Sequence, residues 1–364
     1  MRKLVQYLFR SPLLWIINKQ NVSINPTKVF TKLTNLYHTI LDGTAPQGMV
    51  LPIHNATDRV VIMSDMHKGN GNAADDFDAS SNLYTAACYH YLNEEYTMVA
   101  LGDVEELWEN NMADIIANNE ANIAVEKLFV QQNKLIKIYG NHDIDWASKK
   151  FAEKWLPTLY GCNIPVYEGV VLQTKINDTT LNILLTHGHQ GDKLSDGNSW
   201  SRWFVYNVWS KIQAYFDIHI NTPSLDFLLR DFHNRTMYQW STTQENAVLI
   251  TGHTHKPVFA GLNHIEQINK EILESNLCGN TEKAKQLEIL KTQKLRDYIQ
   301  DEPYTPKSPT YFNTGCCCYN DGDLTVIEIS SGYIRLVKWE TKADGTTHNY
   351  IKHAIALQEI MSAK

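Results

Sequence analysis

The chain has 364 residues, which is long for a single compact core because domains usually hold about 100–200 residues. Hydrophobic residues make up 43% of the sequence and charged residues 20%, a composition that excludes disordered and fibrous classes. The formal net charge is −7, so we expect no general nucleic-acid binding, which requires basic surfaces. One large domain with insertions, or two domains, is therefore predicted.

The N-terminal residues 1–20 begin with a basic pair and contain an apolar run that Gln6, Arg10 and Pro12 interrupt. These interruptions argue against a secretory leader and against a membrane-spanning helix. We expect an amphipathic helix that packs on the body of the protein, with peripheral membrane contact as the alternative. A helical pattern at 26–41 completes a predicted N-terminal helical segment, residues 1–56.

The six cysteines include the run Cys316–Cys318 and no Cys-x-x-Cys pair. Neighbouring cysteines bridge one another only with strain, so neither a disulfide framework nor a zinc knuckle is expected. A cytoplasmic location fits this usage, with the inner face of the membrane as the alternative. The run itself is predicted to be a buried strand of small residues, and redox control is the alternative.

Short β-branched runs predict five buried strands, at 60–63, 98–101, 135–139, 181–185 and 247–250. Helical patterns at 80–95 and 112–132 separate the first three, so the predicted fold is α/β. A short strand near Tyr311 and a hairpin over 324–337 follow. The main domain is predicted to span 57–345, with 346–364 as a C-terminal segment.

Two insertions interrupt this rhythm. Residues 193–245 are helical in pattern and hold four of the nine tryptophans, which predicts an aromatic cap. Residues 263–305 are charged and predict a helical hairpin with a break near Cys278-Gly279-Asn280. Strand patterns resume soon after each, so neither is expected to be an independent domain.

Polar clusters follow the five predicted strands. They are Ser64-Asp65-Met66-His67, Gly102-Asp103-Val104-Glu105-Glu106, Gly140-Asn141-His142-Asp143, Thr186-His187-Gly188-His189 and Gly252-His253-Thr254-His255. Ligands bind beyond the carboxyl ends of strands in open α/β sheets, so these clusters are expected to converge. A donor set of Asp, His and Asn without Cys favours metals of intermediate hardness. One ion would have too many ligands if all these residues bound it, so two ions that share a carboxylate are expected.

In this order, the five motifs resemble those of the calcineurin-like metallophosphoesterase superfamily over residues 58–339. The resemblance implies a four-layer αββα sandwich with helical insertions and a dinuclear metal centre. It implies the following ligands: Asp65, His67 and His255 for the first ion, Asn141, His187 and His253 for the second, and Asp103 as the bridge. The expected ions are two divalent cations, Mn in the first place, with Fe or Zn as alternatives.

The same resemblance implies phosphoester hydrolysis by a hydroxide that bridges the metals, with His142 as the catalytic histidine and Glu106 as its partner. His189 is expected outside the metal ligands, and Asp143 and Asp192 are expected to support them by hydrogen bonds. A small-molecule phosphoester or a nucleotide-sugar is the expected substrate, whose bond is a phosphomonoester, a phosphodiester or a diphosphate.

The substrate admits several readings. The motif from Gly102 to Trp108 and the insertion also resemble UDP-2,3-diacylglucosamine pyrophosphohydrolases, although those enzymes carry Arg where His142 stands. In that reading Arg202, Trp203, Phe204 and Arg235 would bind the substrate. A serine/threonine protein phosphatase is a further alternative, and a non-catalytic scaffold on the same fold is another. Gly69–Ala74 matches a dinucleotide fingerprint only weakly, because Asp75 and Asp76 would repel a pyrophosphate.

Overall fold

The computed structural model describes residues 25–72, 75–191, 227–262, 264–295, 308–319 and 321–363. The predictions for residues 1–20 and for most of the cap, 193–226, lie outside these residues. The helices are α1 (Pro26–Leu41), α2 (Ser81–Asn93), α3 (Met112–Asn118), α4 (Glu120–Gln131), α5 (Lys149–Tyr160), α6 (Phe227–Thr243), α7 (His264–Leu277), α8 (Thr281–Leu295) and α9 (Leu357–Ser362). Short 3-10 turns lie at Asp78–Ser80 and Ile144–Ala147.

Two sheets form the centre of the protein. The strands are β1 (Gly48–Pro52), β2 (Val60–Met63), β3 (Thr97–Leu101), β4 (Leu135–Ile138), β5 (Val166–Tyr167), β6 (Gly169–Ile176), β7 (Thr179–Thr186), β8 (Ala247–Thr251), β9 (Tyr311–Asn313), β10 (Leu324–Ser330), β11 (Tyr333–Thr341) and β12 (Thr347–Ala356). One sheet has the order β1-β6-β7-β8-β9 and the other the order β12-β11-β10-β2-β3-β4-β5. All five predicted buried strands, the short strand near Tyr311 and the hairpin are confirmed.

Parallel pairing aligns the strands that precede the polar clusters. In the seven-stranded sheet, β2, β3 and β4 are parallel neighbours, with Ile62 opposite Val99 and Val99 opposite Ile136. In the five-stranded sheet, β7 and β8 are parallel neighbours. The carboxyl ends of parallel strands lie at one edge of a sheet, so each sheet delivers its polar clusters to one rim.

The two sheets pack face to face with helices outside both. Val60 and Ile62 of β2 face a core that they share with strands of the other sheet, such as Ile183 of β7. Val61 and Met63 point the opposite way, into a second core. This burial on both faces explains why β2 is an unbroken apolar run. The expected four-layer αββα sandwich is the observed fold.

Helices cover each outer face. Helices α2 and α4 pack on the seven-stranded sheet through Tyr84 and Phe129, and helices α1 and α6 pack on the five-stranded sheet through Leu33 and Trp240. Helix α1 begins where the Asn25 side chain accepts a hydrogen bond from the backbone N–H of Lys28, a typical N-cap. The predicted helix over 26–41 is confirmed.

The second insertion is the predicted helical hairpin. Helices α7 and α8 flank residues 278–280, where the sequence predicts the break, and pack on each other through Ile268 and Ile272. In the described residues, no helix is long and apolar enough to cross a membrane.

The C-terminal residues after 345 contribute to the main sheet. Strand β12 pairs antiparallel with β11, and Leu357 and Ile360 of α9 are buried in the core between the sheets. The predicted limits of the main domain, 57 and 345, stay predictions, but the sheet itself continues past residue 345.

Candidate metal centre

The backbone at the strand ends turns through an uncommon conformation. Five of the predicted ligands have positive φ angles between 51° and 69°: Asp65 54°, His67 52°, Asp103 51°, His253 69° and His255 54°. Non-glycine residues adopt this left-handed region rarely, and such strain concentrates at functional sites. Backbone hydrogen bonds between loops hold these turns. For example, the N–H of Asp65 donates to Gly102 O, and the N–H of His67 donates to Asp103 O.

The first predicted ligand group is assembled. The Oδ1 atom of Asp65 lies 3.2 Å from His255 Nε2, and His67 Nε2 lies 3.1 Å from the same nitrogen. The two loops are tied together because the backbone N–H of His253 donates to both carboxylate oxygens of Asp65, at 3.1 and 3.0 Å. The side chains of Asp65, His67 and His255 therefore present donor atoms around one small volume.

The second group lies beside the first. Asp103, His187 and His253 place their donor atoms within 4.8 Å of one another. The Nδ1 atom of His187 donates to Leu101 O at 2.9 Å, which leaves Nε2 for a metal. Burial lowers the pKa of His253, and the neighbouring rings of His233 and His187 lower it further, so this imidazole is held in the neutral form that binds metals.

The carboxylate of Asp103 stands between the two groups. Its Oδ2 atom lies 3.0 Å from His187 Nε2 and 3.7 Å from His67 Nε2. Its Oδ1 atom accepts the backbone N–H of His142 at 2.8 Å. One oxygen is fixed by the loop and the other faces both imidazoles, so Asp103 lies where the predicted bridging ligand would be needed.

The side chain of Asn141 gives an independent test of metal binding. Its Oδ1 atom is buried and has no hydrogen-bond partner among the described residues. A buried carbonyl oxygen left without a partner costs about 1–3 kcal/mol, so such atoms call for an explanation. Coordination of a cation is one, and the set of carboxylate, imidazole and amide donors suits divalent ions such as Mn, Fe or Zn. The residues present therefore fit the dinuclear centre.

Glu106 links the catalytic candidate to the metal ligands. Its Oε2 atom accepts from His67 Nδ1 at 2.7 Å and its Oε1 atom accepts from His142 Nδ1 at 2.9 Å. Burial raises the pKa of Glu106, but the charges of His142 and His67 outweigh it and bring the pKa to about 2. The sequence motifs imply the pairing with His142; the hydrogen bond to His67 is a finding of the structure.

His142 is oriented from two sides. Glu106 holds Nδ1, and the indole of Trp108 stacks on the imidazole with ring centroids 3.9 Å apart and planes 18° apart. Burial lowers the pKa of His142, but the carboxylates of Glu106 and Asp103 outweigh it and raise the pKa above its ordinary value. The hydrogen bond to Glu106 engages Nδ1 and leaves Nε2 for the proton transfer that the sequence motifs predict for His142.

A further carboxylate supports the loops from behind. Asp143 accepts backbone N–H groups from Val104 at 2.9 Å, from Gly140 at 2.6 Å and from Asp103 at 3.3 Å. These hydrogen bonds agree with the prediction that Asp143 supports the ligand loops. Asp192 lies outside the described residues. The ring centroid of His189 is 5.6 Å from that of His187, and His189 belongs to none of the donor groups among the described residues.

Four residues are predicted to bind the substrate. Arg202, Trp203 and Phe204 lie outside the described residues. Arg235 is on helix α6, with 45% of its side chain exposed, and pairs with Asp231 of the same helix at 2.6 Å. Its role in substrate binding stays a prediction.

The prediction that residues 316–318 form a strand is wrong. Cys316, Cys317 and Cys318 are buried, as expected, but they form a loop between β9 and β10 and no strand. The backbone N–H of Cys317 donates to Ser64 O and Asp65 O, at 3.2 and 3.3 Å. The loop therefore braces the turn after β2 rather than extending the sheet, and Cys318 Sγ comes within 4.0 Å of His255 Nδ1.

Comparison with known families agrees with this centre. The family model for calcineurin-like phosphoesterases matches residues 58–257, more than half of the 364 residues. The chain belongs to the calcineurin-like phosphoesterase family. A comparison with curated proteins finds no match.

Solved structures with a similar arrangement include two that span most of the chain. Vacuolar protein sorting 29 from Cryptosporidium parvum is 12% identical, with 82% of this chain and 98% of that chain covered and a TM-score of 0.33. A dimetal phosphatase from Danio rerio is 10% identical, with 77% and 95% covered and a TM-score of 0.33. The family assignment rests on the matched family model.

Proposed function

We propose that this protein is a metal-dependent hydrolase that cleaves a phosphomonoester, phosphodiester or diphosphate bond with two divalent ions. The observation that supports it most is the convergence of the donor atoms of Asp103, His187 and His253 within 4.8 Å of one another. The buried Asn141 oxygen, which has no hydrogen-bond partner in the described part of the chain, also supports it. When bound, two divalent ions would lower the pKa of water and neutralise charge on the phosphoryl group. Mn is the proposed ion, because the donor set around Asp103 contains no thiol.

The residues of the chain divide the remaining work. Glu106 fixes the tautomer and the orientation of His142 by its hydrogen bond to Nδ1. His142 would then give its Nε2 proton to the departing oxygen, which is poor as a leaving group when unprotonated. Asp103 holds the backbone of His142 through its Oδ1 atom, so metal site and proton donor keep a fixed separation.

The decisive test combines metal content with turnover. Protein prepared without chelator and loaded with Mn²⁺ is assayed on a phosphomonoester, a phosphodiester and a nucleotide-sugar diphosphate. We expect about two equivalents of metal per chain and hydrolysis of at least one substrate class. His142→Ala should keep its metal and fold but lose about 10²–10⁴-fold in turnover. Full metal content with no turnover on any class would favour a non-catalytic scaffold instead.

Substrate choice is proposed to lie in the cap, residues 193–245. Its described part is tied to the metal loops, since His233 Nε2 lies 2.8 Å from Gly188 O and Thr254 Oγ1 lies 3.4 Å from Asn234 Oδ1. The combined replacement Trp203→Ala and Phe204→Ala should therefore reduce turnover of a large diphosphate substrate while sparing a small chromogenic phosphodiester.

Equal losses on both substrates would show that the cap does not select the substrate.

The arginines provide a second comparison. Arg202→Ala and Arg235→Ala should weaken binding of a diphosphate more than binding of a monoester, because guanidinium groups recognise paired phosphate oxygens. A nucleotide-sugar diphosphate as the best substrate would support the pyrophosphohydrolase alternative, and a phosphorylated serine or threonine peptide the protein phosphatase alternative.

A further inference from the structure

A second cluster of metal-binding side chains adjoins the dinuclear centre. The donor atoms of His255, Cys316 and Cys318 lie within 4.8 Å of one another, and Cys318 Sγ lies 4.0 Å from His255 Nδ1. Only 1% of Cys316 and 6% of Cys318 is exposed. Two thiols and an imidazole form a soft donor set, which differs from the carboxylate, amide and imidazole set of the main centre.

The backbone holds the two thiols on one side of the loop. Cys317 packs in the core of the seven-stranded sheet, while its N–H binds the turn at Ser64 and Asp65. The backbone N–H of Thr325 donates to Cys316 O at 3.1 Å, which fixes the other end of the loop. Cys316 and Cys318, on either side of Cys317, therefore reach the same donor group.

The ring of His255 belongs to both clusters. Its Nε2 atom lies 3.2 Å from Asp65 Oδ1, in the first ligand group, and its Nδ1 atom faces Cys318. A neutral imidazole offers one nitrogen lone pair and keeps a proton on the other nitrogen. An ion bound through Nδ1 consequently leaves a protonated Nε2, which cannot ligate the ion beside Asp65.

We propose that His255, Cys316 and Cys318 form an inhibitory site for a thiophilic cation such as Zn²⁺ or Cd²⁺, whose binding withdraws His255 from the dinuclear centre. Binding would form two metal–sulfur bonds and one metal–nitrogen bond at His255 Nδ1, and it would break the bond from His255 Nε2 to the ion beside Asp65. Two thiol protons would pass to solvent, the imidazole proton would move from Nδ1 to Nε2 by exchange with solvent, water would complete the tetrahedral shell, and no electrons are transferred. Binding at this site is independent of the proposed hydrolysis, whereas the inhibition rests on it.

The test uses Cd²⁺ as the probe on the full-length, Mn²⁺-loaded protein with its thiols reduced. The ultraviolet thiolate-to-cadmium absorption reports the new site directly, and turnover of a small phosphoester, relative to the uninhibited rate of each variant, reports inhibition. In the unmodified protein we expect both signals to saturate together at one equivalent of Cd²⁺. Cys316→Ser and Cys318→Ser should lose the absorption and need at least about tenfold more Cd²⁺ for inhibition.

Cys162 and Cys278 are exposed, so Cys162→Ser and Cys278→Ser are matched controls that should behave as the unmodified protein. Cys318→Ala, checked by its melting temperature, replaces Cys318→Ser if the hydroxyl disturbs the fold. Unchanged absorption in both loop variants would overturn the site. Unchanged inhibition in them would overturn the mechanism, because Cd²⁺ would then act at the dinuclear centre. If the protein hydrolyses none of the substrates, the absorption still decides whether the site exists.

Discussion

The indole of Trp108 lies against the imidazole of His142 and reaches past it to the backbone. The two ring centroids are 3.9 Å apart, and Trp108 Nε1 donates to Asn141 O at 2.8 Å. One side chain therefore contacts both the proposed proton donor and the strand end that carries a predicted metal ligand. Since the loop after β3 carries Trp108 and the loop after β4 carries His142 and Asn141, the contact couples two of the five polar clusters.

Removal of the indole should slow catalysis more than it weakens metal binding. Trp108→Ala is expected to lower kcat by about tenfold, because an aromatic contact contributes roughly 0.5–1.5 kcal/mol and each 1.4 kcal/mol is a factor of ten in rate. Trp108→Phe keeps the stack and loses the hydrogen bond to Asn141 O, so it should recover most of kcat. Steady-state kinetics with metal analysis checks this. Equal kcat for the Ala and Phe variants would show that the stack does not position His142.

Glu106 should affect two functions at once, because it binds both His67 and His142. Glu106→Gln removes the charge while retaining the shape, and we expect a loss of about 10²–10³-fold in turnover together with weaker binding of the first metal. His142→Ala is the matched comparison, since it should lower turnover alone. Metal titration by calorimetry separates the two effects. Unchanged metal affinity in Glu106→Gln would mean that the bond to His67 does not support metal binding.

Much of the fold was predictable from the sequence because its central strands are buried on both faces and read as unbroken apolar runs. The strands that the patterns do not reveal lie at or near sheet edges. Strand β12 carries His348 and Tyr350, and most of its residues are exposed or half-buried, so its apolar signal is weak. Strand β1 is only five residues long.

In the candidate site, too, features set by the local sequence were predictable, whereas contacts between distant parts of the chain were not. Strand ends followed by Asp, Asn or His were sufficient to predict that these side chains converge, because parallel strands bring such ends together. The predicted ligand set came from the family resemblance of the five motifs. The stack of Trp108 on His142, the second bond of Glu106 and the contact of Cys318 with His255 were not predictable, since each joins side chains from separate loops. Nor does a sequence pattern mark Asp65 or Asp103 as residues with a left-handed backbone.

Gly140 should be irreplaceable for a steric reason. A Cβ atom on Gly140 would lie 2.6 Å from the backbone nitrogen of Asp103 and would also meet its carboxylate. Gly140→Ala must therefore displace Asp103, and a shift of about 1 Å at the reacting centre can cost about 10²-fold in rate. We expect loss of bound metal together with turnover.

Gly161 provides the control for Gly140. It ends helix α5 with a φ of +82°, and a Cβ atom there would meet only the flexible end of Lys127 at 3.4 Å. Gly161→Ala should cost about 1 kcal/mol of stability through its backbone conformation, while metal content and turnover stay normal. If Gly140→Ala behaved in the same way, the close approach to Asp103 would have no role in the centre.

Acid should destabilise the protein partly through His353 on strand β12, outside the metal centre. Burial lowers the pKa of His353 to about 4, with help from the charges of Lys352 and Lys270, and its ring centroid lies 5.5 Å from that of Phe259. The unfolded chain has the ordinary value of about 6.5, so it binds more protons than the folded protein between these limits. The contribution of His353 to stability is therefore present above about pH 6.5 and is lost as the pH falls towards 4.

His353→Gln removes this titration while it keeps a polar side chain of similar reach. The free energy of unfolding is measured with denaturant at about pH 7.5 and at about pH 5. Its decrease between these two pH values should be about 1 kcal/mol smaller in the variant than in the unmodified protein. This figure is already reduced for the partial exposure of the ring. His38 on the exposed face of helix α1 provides the control, and His38→Gln should leave the difference unchanged. An identical pH dependence in the unmodified protein and His353→Gln would show that the proton uptake occurs elsewhere.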